Sequence, residues 1–185
     1  MNRRKLSYAL GPEDVRTLSE AAHAAEFLGL PFTVLVTIHF GKVIPNPADP
    51  GAYLRRNVVN RLGIWFHRRG IEWTALWERE NYKGHNREHV HLLVHVPPRR
   101  QASFRAAVER WWPEKGSVDV QRLYNTKRAL RYLMKQLTPQ ARFAFGGLIR
   151  REAACRHTGA RVAPVLGRKF GMTRNLWSLV RRTSA

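Results

Sequence analysis

Hydrophobic and polar residues alternate in three segments of the chain, and a period of two along the sequence predicts β-strands. The segments are PFTVLVTIHF at residues 31–40, IEWTALWERE at residues 71–80 and EHVHLLVHV at residues 88–96. A shorter run, VDVQRLY at residues 118–124, predicts a fourth and weaker strand. Each of the three longer strands has one apolar face and one face that carries polar side chains, so we expect a sheet whose two faces differ.

Other segments place hydrophobic residues three or four positions apart, which is the spacing of a buried helix face. These predicted helices cover residues 12–28, 52–68, 103–112 and 126–137, with a short helix at 175–181. Gly29 and Gly70 follow the first two, where a helix commonly ends. We therefore expect an α+β fold, with a central, mostly antiparallel sheet of four to five strands and helices packed on one face. The polar face would be left open for chemistry.

The length of the chain favours a single domain. A protein of 185 residues can bury one hydrophobic core but is short for two. We expect residues 1–138 to form this domain, including the N-terminal helix. Residues 139–185 are basic and contain glycines without a clear period. We expect them to form an extension that packs on the domain or is continuous with it.

The chain is strongly basic, with 33 Lys and Arg against 13 Asp and Glu and a formal net charge of +20. The basic residues are spread along the chain, so we expect a folded surface that binds a polyanion, with nucleic acid as the partner. The sequence has no GxxxxGK[ST] loop, which argues against a P-loop ATPase. A single cysteine, no signal-peptide pattern and no apolar run of about 20 residues predict a cytoplasmic protein without a membrane segment.

Two histidines on the third strand are candidate metal ligands. Val90 separates His89 from His91, so both imidazoles point to the polar face while the valine points to the core. Two imidazoles can share one cation if a third ligand reaches it, and such a set leaves positions open for a phosphate oxygen. The candidates for the third ligand are Glu80, with Glu78 as its alternative on the same strand face, and also His85 and His95.

A tyrosine on the predicted helix at residues 126–137 is the candidate nucleophile. The hydrophobic residues of this helix face the core, whereas Tyr132 shares its face with Lys135 and Gln136. A phenol is a weak nucleophile because it ionises near pH 10, so a cation such as Lys135 would stabilise the attacking oxygen or the phosphate. A second Tyr-x-x-Lys pattern begins at Tyr124, which leaves the choice of tyrosine open.

Taken in order along the chain, these segments resemble the HUH endonucleases, especially the small replication initiators of bacterial plasmids and phages. The resemblance is carried by FTVLVTIHF, WERENYKG, EHVHLLVHVP and RYLMKQ, which cover about residues 30 to 138. GRKFGMTRNL near residue 170 resembles the ending of some proteobacterial members. The family uses the free face of an antiparallel sheet in a ferredoxin-like or RNA-recognition-like fold.

The resemblance implies a nickase that cuts single-stranded DNA through a 5′-phosphotyrosine intermediate and initiates rolling-circle replication. The residues that match the family's motif are the metal ligands His89, His91 and Glu80, and the nucleophile Tyr132 with Lys135 beside it. The candidate DNA contacts are Lys83, Lys127, Arg128 and Arg131. The implied cofactor is Mn²⁺ or Mg²⁺. The implied partners are single-stranded DNA, folded as an origin hairpin, and a host helicase.

Two other functions fit the same residues. A single-tyrosine transposase of the same fold would use identical chemistry on hairpin ends. A binding module without catalysis would hold single-stranded nucleic acid on the sheet, with histidines that serve no metal. One tyrosine on the helix favours the one-tyrosine enzymes, and Tyr8 alone could correspond to the N-terminal tyrosine of relaxases. Dependence on a metal separates the enzymes from the binding module.

Overall fold

The computed structural model describes residues 6–82, 88–149 and 163–183, and the fold is α+β. Five strands form one sheet: β2 (Val34–His39), β3 (Ala75–Glu80), β4 (His89–Val94), β5 (Val118–Arg122) and β7 (Phe170–Met172). They lie in the order β5-β2-β4-β3-β7, and every neighbouring pair is antiparallel. Separately, β1 (Leu6–Ser7) pairs with β6 (Val165–Leu166). The predicted fold class is confirmed.

Most helices lie where the sequence pattern predicts them. They are α1 (Pro12–Phe27), α2 (Pro50–Tyr53), α3 (Asn60–His67), α4 (Gln101–Trp111), α5 (Thr126–Leu133), α6 (Pro139–Ile149) and α7 (Arg174–Thr183). A π-helical segment at Leu54–Val59 joins α2 to α3, so the predicted helix at residues 52–68 is one continuous helical stretch with a wider middle turn. Gly29 and Gly70 follow α1 and α3 with φ angles of 70° and 60°, which glycine adopts without strain.

The apolar face of the sheet packs against α3 and α4. Alternate strand residues such as Val36, Ile38 and Leu92 are fully buried there, together with Phe66 from α3 and Phe104 from α4. The rings of the two phenylalanines lie 5.7 Å apart between centroids. The strand residues of this layer are those that the alternating pattern assigns to the apolar face, so the pattern fixes the orientation of β2 and β4.

Helices also cover one end of the opposite face, so the expectation that they pack on one face only is wrong. The strand register places Leu35, Leu93 and Leu76 side by side on three neighbouring strands of that face. Helices α1, α5 and α7 pack over this apolar row, where Leu18 and Leu133 are fully buried. Removing such a row from water is favourable, which explains the additional layer. The polar side chains that form the candidate site lie at the other end of this face.

Residues 163–183 share the sheet and the core with the first part of the chain. β7 pairs with β3 as the edge strand, and Leu176 and Val180 of α7 are buried in the same core as α1. Gly171 of β7 lies so close to Trp77 that a Cβ atom there would stand 2.8 Å from the indole ring, so the position requires glycine. In the part of the chain that the structure describes, no helix has the length and apolar character needed to cross a membrane.

Candidate metal centre

The register of the sheet brings polar side chains from three strands together. On the face opposite α3 and α4, His89 of β4 lies beside Glu80 of β3, and His91 lies beside Glu78. On the other side of β4, strand β2 places Thr37 beside His91. Residues directly opposed in antiparallel strands have Cβ atoms about 5 Å apart, so these side chains are within contact distance of one another.

Three of these side chains, Glu80, His89 and His91, form a group that can hold a divalent metal ion. Their ligand atoms all lie within 4.8 Å of one another, and all three residues are buried. Glu80 Oε2 stands 3.3 Å from His89 Nε2 and 3.8 Å from His91 Nε2. Two imidazoles and one carboxylate suit a divalent metal that keeps coordination positions open. We refer to these three residues as the metal triad.

The hydrogen bonding of His91 fits a metal ligand. Its Nδ1 lies 2.9 Å from the Thr37 hydroxyl, a contact that orients the ring with Nε2 towards Glu80 and His89. His91 Nε2 and Glu80 Oε1 are buried and have no hydrogen-bond partner within the described residues. Burial lowers the pKa of His91, although the Glu80 carboxylate acts in the opposite direction, so the ring stays neutral as a metal ligand requires. A bound cation would satisfy both buried atoms.

The Glu80 carboxylate is held in its ionised form. Burial alone would raise its pKa, but the close imidazoles of His89 and His91 and the nearby ammonium of Lys135 hold the pKa well below its usual value. Lys135 Nζ lies 2.9 Å from Glu80 Oε2, and the Tyr82 hydroxyl donates a hydrogen bond of 2.9 Å to the same oxygen. The carboxylate therefore keeps the negative charge with which it would bind a cation.

Glu78 has a different partner. Its Oε1 lies 2.9 Å from Lys169 Nζ, and the same ammonium donates to Gln136 Oε1 at 2.7 Å and to the Arg79 carbonyl at 2.9 Å. Burial, the largest influence, raises the pKa of Glu78, and the charge of Lys169 counteracts part of this rise. Glu78 therefore forms a buried ion pair beside the metal triad on the same face of the sheet, and it is not a member of the triad.

Of the remaining sequence-predicted ligands that the structure describes, His95 lies elsewhere. His95 Nδ1 makes a hydrogen bond of 2.7 Å with the Pro31 carbonyl, and His95 is not part of the metal triad. His85, predicted as a further ligand, and Lys83, predicted as a DNA contact, lie outside the described residues. The metal triad thus consists of the two histidines of the His-x-His pattern and the glutamate expected to be the third ligand.

Tyr132 stands at the edge of the metal triad. Its ring meets the edge of the His91 ring at a centroid distance of 5.0 Å, and 42 % of the residue is exposed. The Lys135 ammonium lies 3.8 Å from the centre of the tyrosine ring. Tyr124, the other candidate, is 85 % exposed before the start of α5, where the Arg122 guanidinium lies 5.2 Å from its ring. Of the two tyrosines, Tyr132 is the one in contact with the triad.

The predicted DNA contacts of α5 lie on the helix that carries Tyr132. Lys127 and Arg128 are exposed, and Arg131 is half-buried. The side chain of Asn125 caps this helix by accepting a hydrogen bond from the backbone N–H of Arg128. A negatively charged strand that reaches Tyr132 would therefore pass close to these positive charges.

The structure changes one detail of this helix, which ends at Leu133 and not at residue 137. The Leu10 N–H donates to the Gln136 carbonyl, and the Thr138 N–H donates to the Leu10 carbonyl, both at 2.9 Å. These bonds draw the chain out of the helix after Leu133. Gln136, expected on the outward face with Tyr132, is consequently buried against Lys169.

The sequence did not predict the contacts of several residues that shape the site. Lys169 immediately precedes β7, a three-residue strand that is too short to show a period, so no pattern indicates it. Tyr82 stacks on the His89 ring at 5.8 Å, and His39 lies 5.1 Å from the same ring. Burial and the neighbouring His89 and Lys42 lower the pKa of His39 to about 4. The sequence could have indicated His39, because it alternates with the core residues of β2 and therefore lies on the polar face.

Comparisons with known proteins add no assignment. No protein-family model matches the chain, and neither the curated proteins nor the solved structures give a significant match. A functional argument therefore depends on the geometry of the site.

The two glutamates give a direct test of the metal triad. We expect Glu80→Ala to weaken Mn²⁺ binding far more than Glu78→Ala, because Glu80 faces both histidines whereas Glu78 pairs with Lys169. Loss of a supporting residue outside the ligand set costs about 10- to 100-fold in metal affinity, and loss of a ligand should exceed that. Calorimetric titration with Mn²⁺ measures both variants. The reverse order would make Glu78 the ligand.

The buried ion pair gives a test of stability. We expect Lys169→Met to lower the free energy of unfolding at pH 7 by about 3–5 kcal/mol, because it leaves the Glu78 carboxylate buried without its cation. The loss should be smaller at pH 5. Burial already raises the pKa of Glu78 above its ordinary 4.5, and removing Lys169 raises it further. A carboxyl with a raised pKa stabilises the fold when protonated, and this contribution disappears as the pH rises above 4.5.

Urea unfolding of the wild type and the variant at the two pH values measures both effects. As a control, Glu78→Gln in the Lys169→Met background should recover stability and remove the additional pH dependence, because no buried charge remains. An equal loss of stability at pH 5 and pH 7 would show that Lys169 acts through packing and not through the charge of Glu78.

Proposed function

We propose that this protein is a metal-dependent, single-strand DNA endonuclease and ligase of the HUH type, with Mn²⁺ or Mg²⁺ as the cofactor. The observation that carries the proposal is the contact between a half-exposed tyrosine, Tyr132, and a buried group of two histidines and one glutamate. A nucleophile next to a cation site is the arrangement needed for attack on a phosphodiester. The net charge of +20 supports a nucleic-acid substrate.

In the proposed reaction the phenolic oxygen of Tyr132 attacks the phosphorus of the scissile phosphodiester. The new bond joins this oxygen to phosphorus, the bond from phosphorus to the 3′ oxygen breaks, and the 3′ oxygen takes up a proton while the phenol loses one. The products are a 5′-phosphotyrosine and a free 3′-OH. A cation held by Glu80, His89 and His91 would polarise the phosphate and neutralise charge on its oxygens. Reversal of the same steps rejoins the strand.

The surrounding side chains have separable roles in this proposal. Lys135 contacts both the Tyr132 ring and the Glu80 carboxylate, so its ammonium is placed to offset negative charge on the phenolic oxygen. Lys135 stays protonated: burial lowers its pKa, but the charge of the Glu80 carboxylate outweighs this effect and raises the pKa above its usual value. Thr37 orients His91. The exposed Lys127 and Arg128 would guide the strand by its phosphates.

A covalent intermediate conserves the energy of the broken bond without ATP, and the free 3′-OH can prime synthesis. These properties suit the initiation of rolling-circle replication, in which the protein would cut an origin hairpin and a host helicase would then unwind the duplex. They suit a single-tyrosine transposase equally in chemical terms. The two roles differ in the DNA that is cut, so the sequence of the cleaved site decides between them.

The test is incubation of the protein with a pool of single-stranded DNA and Mn²⁺, followed by mass spectrometry of tryptic peptides. We expect a nucleotide attached to Tyr132 and a matching DNA fragment with a 3′-OH, and neither product when the metal is removed by chelation. DNA that binds but is never cut would favour the non-catalytic binding module. Cleavage without a peptide adduct would overturn covalent catalysis.

A further inference from the structure

The outer surface of helices α3 and α4 carries a cluster of arginines. This surface lies on the side of the sheet opposite to the metal triad. A groove of about 350 Å³ lies along α3, the π-helical segment before it and the end of α4. Five arginines line it: Arg56, Arg61, Arg68, Arg69 and Arg110. No aspartate or glutamate is among its lining residues. We call this surface the arginine groove.

No carboxylate in the part of the chain that the structure describes neutralises the charges of the groove. Within the described residues, none of the five arginines forms an ion pair with a carboxylate. Two of them rest on tryptophans instead, with the Arg69 guanidinium 4.2 Å from the Trp65 ring and that of Arg61 5.7 Å from the Trp111 ring. Like charges held together in this way repel one another, and an anion in the groove would relieve that repulsion.

The donors in the groove suit phosphate oxygens. Guanidinium groups make paired hydrogen bonds to phosphate, and the amides of Asn57 and Asn60, which also line the groove, can donate to phosphates as well. Arg68 follows Arg56 by twelve positions, so the helical stretch rises about 18 Å between them at about 1.5 Å per residue. That length matches about five base pairs of a duplex at 3.4 Å each.

The aromatic residues of the groove argue for a duplex and against an unpaired strand. Proteins that bind unpaired strands present exposed rings on which successive bases stack. Here Trp65 is only 4 % exposed, and Trp111 is half-buried and faces Arg61. The groove therefore offers charge and hydrogen-bond donors for a backbone, without a row of free rings for bases.

We propose that the arginine groove is a second DNA-binding site, which holds the phosphodiester backbone of a DNA duplex while the metal triad on the other face acts on a single strand. The choice of DNA rests on the proposed function, whereas the site itself rests on the groove. Since the sheet separates the two sites, one short strand cannot fill both. The duplex would be the part of the substrate that flanks the cut strand.

The test compares two variants that each remove two positive charges. Arg56→Gln/Arg68→Gln changes exposed groove residues without ring contacts among the described residues, and Arg174→Gln/Arg182→Gln changes exposed residues of α7 on the other side of the sheet. Affinity for a short DNA duplex is measured over a range of salt concentrations. At about 0.9 per phosphate contact, the groove variant should reduce the slope of log K against log salt by about 1.8, and the α7 variant should leave it unchanged.

Three outcomes overturn the proposal. If both variants reduce the salt slope equally, the net charge of the protein acts without a specific site. If the groove variant weakens binding of an unpaired strand more than binding of a duplex, the groove binds single strands. An equal loss of binding to polyglutamate would assign it to acidic protein segments. A separate assay, cleavage of a short single strand, tests the proposed nickase function independently of the groove. If the protein binds a duplex through the arginine groove but cuts no single strand, the groove proposal stands and the proposed nickase function is wrong.

Discussion

Tyr132→Phe should bind DNA and Mn²⁺ almost as the wild type does, yet form no covalent adduct. The change removes one oxygen and keeps the ring, so the edge contact with His91 and the contact with the Lys135 ammonium both remain. Because the attacking atom is absent, the cleavage rate should fall on the order of 10⁴-fold or more, to below detection. Gel-based cleavage of a cognate strand measures the rate, and fluorescence anisotropy measures the binding.

Tyr124→Phe is the matched control for this variant. Tyr124 also begins a Tyr-x-x-Lys pattern, but it is highly exposed and contacts Arg122 instead of the metal triad. We expect it to cut and rejoin DNA at nearly the wild-type rate. A nucleotide recovered on Tyr124 by peptide mapping would transfer the role of nucleophile to that residue.

His89→Ala and His91→Ala should each abolish metal-dependent cleavage. Each removes one of the two imidazoles of the metal triad, and a bound metal contributes several kcal/mol to stabilising charge in phosphate chemistry. At 1.4 kcal/mol for each factor of ten, the rate should fall by about 10³-fold or more. Calorimetry should show the loss of Mn²⁺ affinity directly, and DNA binding measured without metal should persist.

His39→Ala is the control for the histidine variants. His39 lies on the same face and its ring is 5.1 Å from that of His89, but it is not part of the metal triad. It should retain most of the Mn²⁺ affinity and of the cleavage rate. Since His89 and His91 are buried, urea unfolding of every variant is required to show that the fold survives. Full cleavage by a folded His89→Ala/His91→Ala protein would disprove the metal site.

The alternating pattern predicted that His89, His91 and the two candidate glutamates share one face of the sheet, and it left the choice between Glu80 and Glu78 open. A period of two places His89 and His91 on one face, and the short connection from β3 to β4 makes the two strands antiparallel neighbours, which brings Glu80 beside His89. The helical period likewise turned Tyr132 away from the core. These predictions succeed because local backbone geometry alone determines the direction of each side chain.

Features that depend on tertiary contacts could not be read from the sequence. The end of α5 is set by hydrogen bonds to Leu10, which lies far away in sequence, and not by the helix-forming residues that follow Leu133. The extra helical layer follows from the alignment of three leucines across strands, which is visible only once the register is known. Lys169 reaches Glu78 only because β7 joins the sheet. The three residues of β7 are too few to show a pattern in the sequence.

The position of Lys169 has a consequence for biosynthesis. A ribosome synthesises β3 and β4, which carry the metal triad, well before it reaches Lys169, the residue that pairs with Glu78. Until β7 is made, the nascent sheet lacks its edge strand and holds a carboxylate that resists burial. The candidate metal site therefore gains the full support of its sheet only after β7 has been made, late in the synthesis of the chain.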